Sequence, residues 1–156
     1  MEFTGEFTVA APPERIWTIL TDTNELEHCV PGAQEVTRVD ESTYSGTIVR
    51  SVAGLSLRLS GEIEVIEEQP HEYMAATVTA GDNRAGSWTK VTADGFLTIT
   101  ADGDQTTLEY RVTADVSGRV ASLGSQLVEP KVRSDIESFF DAVERRASDL
   151  DVPDPE

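Results

Sequence analysis

The chain has 156 residues, enough for one domain with a single core. It carries 29 acidic side chains against 12 basic ones, a formal net charge of −17. Such a field repels nucleic acid and anionic lipid, which both need cationic contacts. No apolar run approaches the roughly 20 residues of a membrane helix. The chain also lacks a basic stretch leading into an apolar one, as a signal peptide would have.

Other features of composition point to a habitat and a compartment. The acids are scattered through every segment, and only Lys90 and Lys131 are lysine. That pattern reads as adaptation to molar salt, where the Debye length shrinks to about 3 Å, rather than as one acidic docking block. Cys29 is the single cysteine, so no internal disulfide exists. The expected location is the cytoplasm.

Glu2 to Ala10 alternates, with Phe3, Gly5, Phe7 and Val9 on one face, and predicts a half-buried strand. Pro12 and Pro13 suit the cap and first turn of a helix, where a missing N–H costs nothing. Ile16, Trp17 and Leu20 follow at helical spacing. A second short helix starts from an Asp22 or Thr23 cap and runs to Cys29, and Pro31-Gly32 ends it.

From Ala33 to Gly118 the signal is strand. Glu35–Val39, Thr43–Val52, Leu55–Ile66, His71–Ala80, Trp88–Thr100 and Thr106–Val116 alternate or are rich in Thr and Val. Short turn-forming breaks between them predict an antiparallel meander. Leu55, Leu57, Leu59, Ile63 and Val65 share one face. Leu108, Tyr110, Val112, Ala114 and Val116 are assigned inward, with Leu97 and Ile99. Between Gly81 and Gly95 the pattern assigns no face.

A long final helix carries an apolar stripe of Val120, Leu123, Leu127, Val132, Ile136, Phe139, Phe140 and Val143. Pro130 is expected to kink or break it. Residues 1–148 form the predicted single domain, and 149–156 an acidic, disordered tail.

The expected architecture is α+β: a curved antiparallel sheet around a long C-terminal helix, with two short helices after the first strand. Such a sheet tends to leave an apolar hollow under the helix, and hollows of that kind bind small greasy molecules. The expected lining is Leu57, Leu59, Tyr73, Tyr110, Val112, Leu123, Leu127 and Phe139. Ala75, Ala76, Ala93, Gly95, Ala114, Ala121 and Gly124 remove volume nearby, and Tyr73, Trp88 and Tyr110 are candidates for the inner face. The helix is expected to act as the gate, with Leu127 at the entrance.

Catalytic and metal chemistry is thinly supplied. His28 and Cys29 are neighbours on a helix and face about 100° apart. With His71 they are too few and too scattered for a zinc site. Glu62, Glu64, Glu67 and Glu68 lie on the polar face or at the end of a strand, where solvated charge is the default. No metal, catalytic group or cofactor is expected.

Gly5-Glu6-Phe7-Thr8-Val9, the run Ala11-Pro12-Pro13-Glu14-Arg15-Ile16-Trp17, the turn Cys29-Val30-Pro31-Gly32 and Leu123-Gly124-Ser125-Gln126-Leu127 together resemble the G-subunit family of carbon monoxide dehydrogenase. The resemblance runs over about residues 2–146. It implies the START-like, or SRPBCC, helix-grip fold shared with polyketide cyclases and the birch pollen allergen Bet v 1. It further implies a non-catalytic accessory to a molybdenum carbon monoxide dehydrogenase that handles a quinone in its cavity. A polyketide cyclase or dehydratase-type enzyme using the same cavity is the alternative. Such an enzyme would be expected to place an acid or histidine on the inner face.

Overall fold

The computed structural model describes residues 1–151, with side chains through Ser148. Seven strands form one antiparallel sheet: β1 (Glu2–Val9), β2 (Ala33–Arg38), β3 (Thr43–Val52), β4 (Leu55–Gln69), β5 (Tyr73–Asp82), β6 (Thr89–Asp102) and β7 (Gln105–Gly118). Their spatial order is β1-β7-β6-β5-β4-β3-β2. Strands β2 to β7 are a plain meander. The long crossing from β1 at one edge to β2 at the other is made by α1 (Pro13–Thr21) and α2 (Thr23–Cys29).

The two short helices form as their sequence dictates. Pro12 stands extended at the N-cap of α1 and Pro13 opens its first turn, while Ile16, Ile19 and Leu20 turn inward. Asp22 caps α2 by accepting from the backbone N–H groups of Asn24 (2.8 Å) and Glu25 (3.1 Å). At Pro31-Gly32 the chain reverses with Gly32 at φ +74°, and a Cβ there would overlap the Val49 carbonyl oxygen. Only glycine lets the turn pass so close to β3.

Two turns set strand register. Ala53 and Gly54 both have positive φ, and they join the paired Val52 and Leu55 in the two-residue hairpin that matches strand twist. His71, expected at the start of a strand, lies instead in the Pro70-His71-Glu72 turn at φ 69°, and β5 begins at Tyr73. In β4 the register with β5 shifts between Val65 and Glu67, a bulge that leaves Ile66 unpaired.

The last helix, α3 (Ser125–Asp151), follows a short 3₁₀ turn at Ala121–Leu123. It is a single helix through Pro130, so of the kink or break expected there the break does not occur. Proline removes only the bond to the carbonyl four residues earlier, on Gln126, and both residues are exposed, so water can satisfy that oxygen. The interruption sits at Gly124, φ +91°. Because the helix restarts there, the stripe shifts by one residue. Val128 is buried and Leu127 is 51% exposed. The backbone of residues 149–151 continues the helix, and the rest of the expected tail lies outside the described residues.

Two apolar clusters hold α3 to the sheet. One gathers Phe3, Val9, Ile16, Ile19, Leu108, Phe140 and Val143; the other gathers Val52, Leu57, Val120 and Val128. Two ion pairs strap the helix sideways. Arg50 of β3 donates from Nε (3.0 Å) and from its terminal nitrogen to Asp135. Arg146 donates to both oxygens of Glu25 in α2, at 2.7 and 2.6 Å.

Candidate functional site

Between the sheet, α2 and the middle of α3 lies a hollow of about 240 Å³. Leu20, Leu26 and Val30 close it from the α1–α2 side, and Tyr44, Ile63 and Val65 form one wall. Met74, Ala76 and Val78 of β5 with Ala93, Gly95 and Leu97 of β6 make the floor. Tyr110, Val112, Phe139 and Phe140 complete it together with Phe96, whose ring stacks on Tyr73 across the sheet. A smaller chamber of about 80 Å³ adjoins it toward β2 and shares Leu26, Val30, Tyr44, Ile63 and Val78 with it.

Small side chains open this space. Ala76, Gly95 and Val112 are cross-strand partners in one row. A Cβ built on Gly95 would meet no atom within 4 Å. Filled cores leave few such gaps, since interiors pack as densely as organic crystals. Of the other small residues, Ala75 faces the opposite side of the sheet beside Phe96, and Ala121 and Gly124 are exposed at the start of the helix.

Among the described residues, the polar side chains that border the larger chamber are two phenols. Tyr44 is buried and its hydroxyl donates to the Thr21 carbonyl over 3.3 Å. Tyr110 stacks on Phe140 with centroids 4.9 Å apart, and Phe140 stacks in turn on Phe7 at 5.3 Å. The Tyr110 hydroxyl lies over Gly5 of β1, away from the floor. Burial raises both phenol pKa values above the ordinary 10, so both stay neutral at ordinary pH.

Of the residues expected to line the hollow, Tyr110, Val112 and Phe139 border the larger chamber and Leu59 borders the smaller. Leu57 does not; it is buried in the cluster with Val52, Val120 and Val128, and Leu123 packs against that cluster. Leu127 points to solvent because of the phase shift at Gly124, which removes the basis for placing it at an entrance. Tyr73 lies on the outer face, where its hydroxyl donates to Glu67 Oε1 over 2.8 Å. Trp88 is 51% exposed and borders neither chamber. The alternation Met74-Ala76-Val78 carries the inward face of β5 and was the signal that Tyr73 faces out.

His28, Cys29 and His71 do not converge. His28 is exposed and its Nδ1–H donates to the Asn24 carbonyl, and His71 meets the edge of Trp17 at 6.1 Å. Cys29 is buried, and burial, helped by the Glu25 charge, pushes its thiol up to about 11. Among the described residues no three His, Cys, Asp or Glu side chains are placed to hold a metal ion. Nor is any of their helices long and apolar enough to cross a membrane.

An antiparallel sheet closed around one long C-terminal helix, with two short helices spanning its edges, is the helix-grip fold. Within that class the chain belongs to the G-subunit (CoxG) family of carbon monoxide dehydrogenase, whose sequence model matches residues 5–148. Solved structures share the fold. A conserved protein from Geobacillus kaustophilus superposes with a TM-score of 0.86 at 21% identity, covering 96% of each chain. A protein from Thermus thermophilus gives 0.71 at 17% identity, covering 97% of this chain and 100% of its own. One from Chromobacterium violaceum gives 0.69 at 14% identity, covering 98% and 99%. No curated protein matches the chain.

Proposed function

We propose that the protein is a non-catalytic accessory that holds a small hydrophobic, quinone- or lipid-like molecule in the hollow between sheet and helix. The observation that carries this reading is the pair of adjoining apolar chambers, opened by Ala76, Ala93 and Gly95 and bordered on the larger side by neutral phenols. Membership of the CoxG family supports an accessory role and makes a molybdenum carbon monoxide dehydrogenase-like enzyme the natural partner, with the cytoplasm as the place of encounter. A cyclase-type reaction would need an acid or base at the floor, and the floor side chains of β5 and β6 are aliphatic or absent.

The test is direct. Protein purified under native conditions is extracted with organic solvent and the extract examined by mass spectrometry. The stripped protein is then titrated with decylubiquinone and with a fatty alcohol, following tryptophan emission. Saturable one-to-one uptake of either probe is the expected result. No uptake of either, together with an extract free of apolar molecules, would overturn the reading.

A further inference from the structure

The outer face of a sheet exposed to water is ordinarily polar, and over most of this molecule it is: serine, threonine and charged residues alternate outward along β3 to β7. Apart from the lone Val49 of β3, one area departs from that. Ile66 is 59% exposed and Phe96 44% exposed, on strands separated only by β5. Tyr73 of β5 stacks on Phe96 with ring centroids 5.7 Å apart.

Three separate devices build this area. Alternation from Val65 puts Ile66 on the outer face, and the bulge in β4 leaves it without a partner and brings Glu67 opposite Ala75 on that same face. The carboxylate of Glu67, next in the chain, accepts the Tyr73 hydroxyl and fixes that ring. The fixed ring then supports Phe96, whose direct neighbour across β5 is the small Ala75. A rigid aromatic pair held in advance loses little entropy on binding, which is how interface anchors work. None of these contacts supports the core, which lies on the other side of the sheet.

We propose that this convex patch over β4, β5 and β6 docks a protein partner that presents arginine or lysine around an apolar tip. The rim decides the chemistry. Around the patch Glu64 and Asp94 both pair with Thr77, Glu67 with Ala75 and Glu109 with Thr98, and Arg111 is the cation directly beside Phe96. An apolar centre with an acidic rim is complementary to a basic surface with an apolar tip. A second copy of this chain is disfavoured, because it would set the same acidic rim against itself. The patch also lies back to back with the hollow: Gly95 and Phe96 both border the hollow, while the cross-strand position of Phe96 opposite Ala75 and its stacking on Tyr73 put its ring on the outer face. A partner seated there is one layer of backbone from the bound molecule.

The test uses the whole chain in a potassium chloride concentration at which circular dichroism shows it folded. Three short synthetic peptides serve as probes: one with a Leu-Trp centre flanked by arginines, one with glutamates for the arginines, and one with serines for Leu-Trp. Binding is followed by amide shifts in the nuclear magnetic resonance spectrum. The arginine peptide is expected to shift amides around Ala75 and Phe96, and the other two to leave them in place. Phe96→Ser is expected to weaken that binding about tenfold, as loss of an anchor does. Leu127→Ser, which removes an exposed leucine elsewhere, should leave it unchanged. Ile66→Ser gives a second reading at the patch if Phe96→Ser does not fold. Absence of shifts at the patch with the arginine peptide, equal binding of the glutamate peptide, or unchanged affinity in both patch variants would overturn the proposal. So would a dimer in sedimentation that Phe96→Ser dissolves, since a second copy would then be the occupant.

Discussion

Gly5 and Tyr110 stand opposite each other across β1 and β7, and a Cβ on Gly5 would fall 2.5 Å from the tyrosine oxygen and 2.6 Å from its ring carbons. The glycine is therefore the seat of the ring that stacks on Phe140 at the end of the hollow. Gly5→Ala must push Tyr110 off that stack. Overpacking of this kind costs about 1–3 kcal/mol, readable in urea denaturation. Gly5→Ala combined with Tyr110→Leu should recover part of the loss, because the overlap disappears. Strictly additive effects of the two changes would show that the pair is not coupled.

Much of this arrangement was legible in the chain. Alternation along Leu55–Val65 and Leu108–Val116 placed the inner faces of β4 and β7, and the Pro12-Pro13 signature opened α1 where the structure has it. What escaped depends on phase. A single glycine in the left-handed region, Gly124, resets the helix and exchanges Leu127 for Val128, a shift that a continuous stripe does not reveal. A one-residue bulge after Val65 brings Glu67 rather than Ile66 opposite Ala75, and it leaves no turn signal. The pairing of Glu25 with Arg146 joins residues 121 positions apart, and no local spacing encodes it.

That ion pair gives the second prediction. The hydrogen bonds from Arg146, outweighing burial, hold the Glu25 carboxyl below its ordinary value of 4.5. A depressed carboxyl contributes stability that is complete above the unfolded value and is lost as pH falls through the folded one. Glu25→Gln should therefore cost about 2 kcal/mol near neutrality. The difference from wild type should stay constant down to about pH 4.5 and shrink in stronger acid. Urea melts of both proteins across that range measure it, and a difference independent of pH would rule out the ion pair as its source.

Cys29 follows in the same helix as Glu25, and burial, helped by the Glu25 charge, pushes its thiol up to about 11. At pH 8 only roughly one molecule in a thousand carries the thiolate that reacts. Ellman's reagent should modify the native protein at the rate of local opening and the denatured protein at once. Rapid modification without denaturant would mean that α2 does not shield the sulfur.

Salt should govern stability as a whole. Seventeen net negative charges repel one another in the compact state, and screening relieves that repulsion. The melting midpoint should climb from dilute buffer to molar potassium chloride and flatten once the Debye length is shorter than the spacing of surface charges. A flat midpoint over the whole range would remove the reading of the composition as salt adaptation.

Gly95 offers the sharpest separation of binding from folding. Its backbone is not in the left-handed region, and a Cβ there meets nothing within 4 Å, so a larger side chain can enter the hollow without displacing a neighbour. Gly95→Leu should place its side chain between Ala76 and Val112, in the space assigned to the ligand. Burying that leucine contributes about 1.5–3 kcal/mol, and replacing a strand glycine adds a little more. The variant should thus melt higher than wild type while losing uptake of decylubiquinone. A mutation that merely damaged the fold would lower both. Higher stability with undiminished uptake would locate binding outside this hollow.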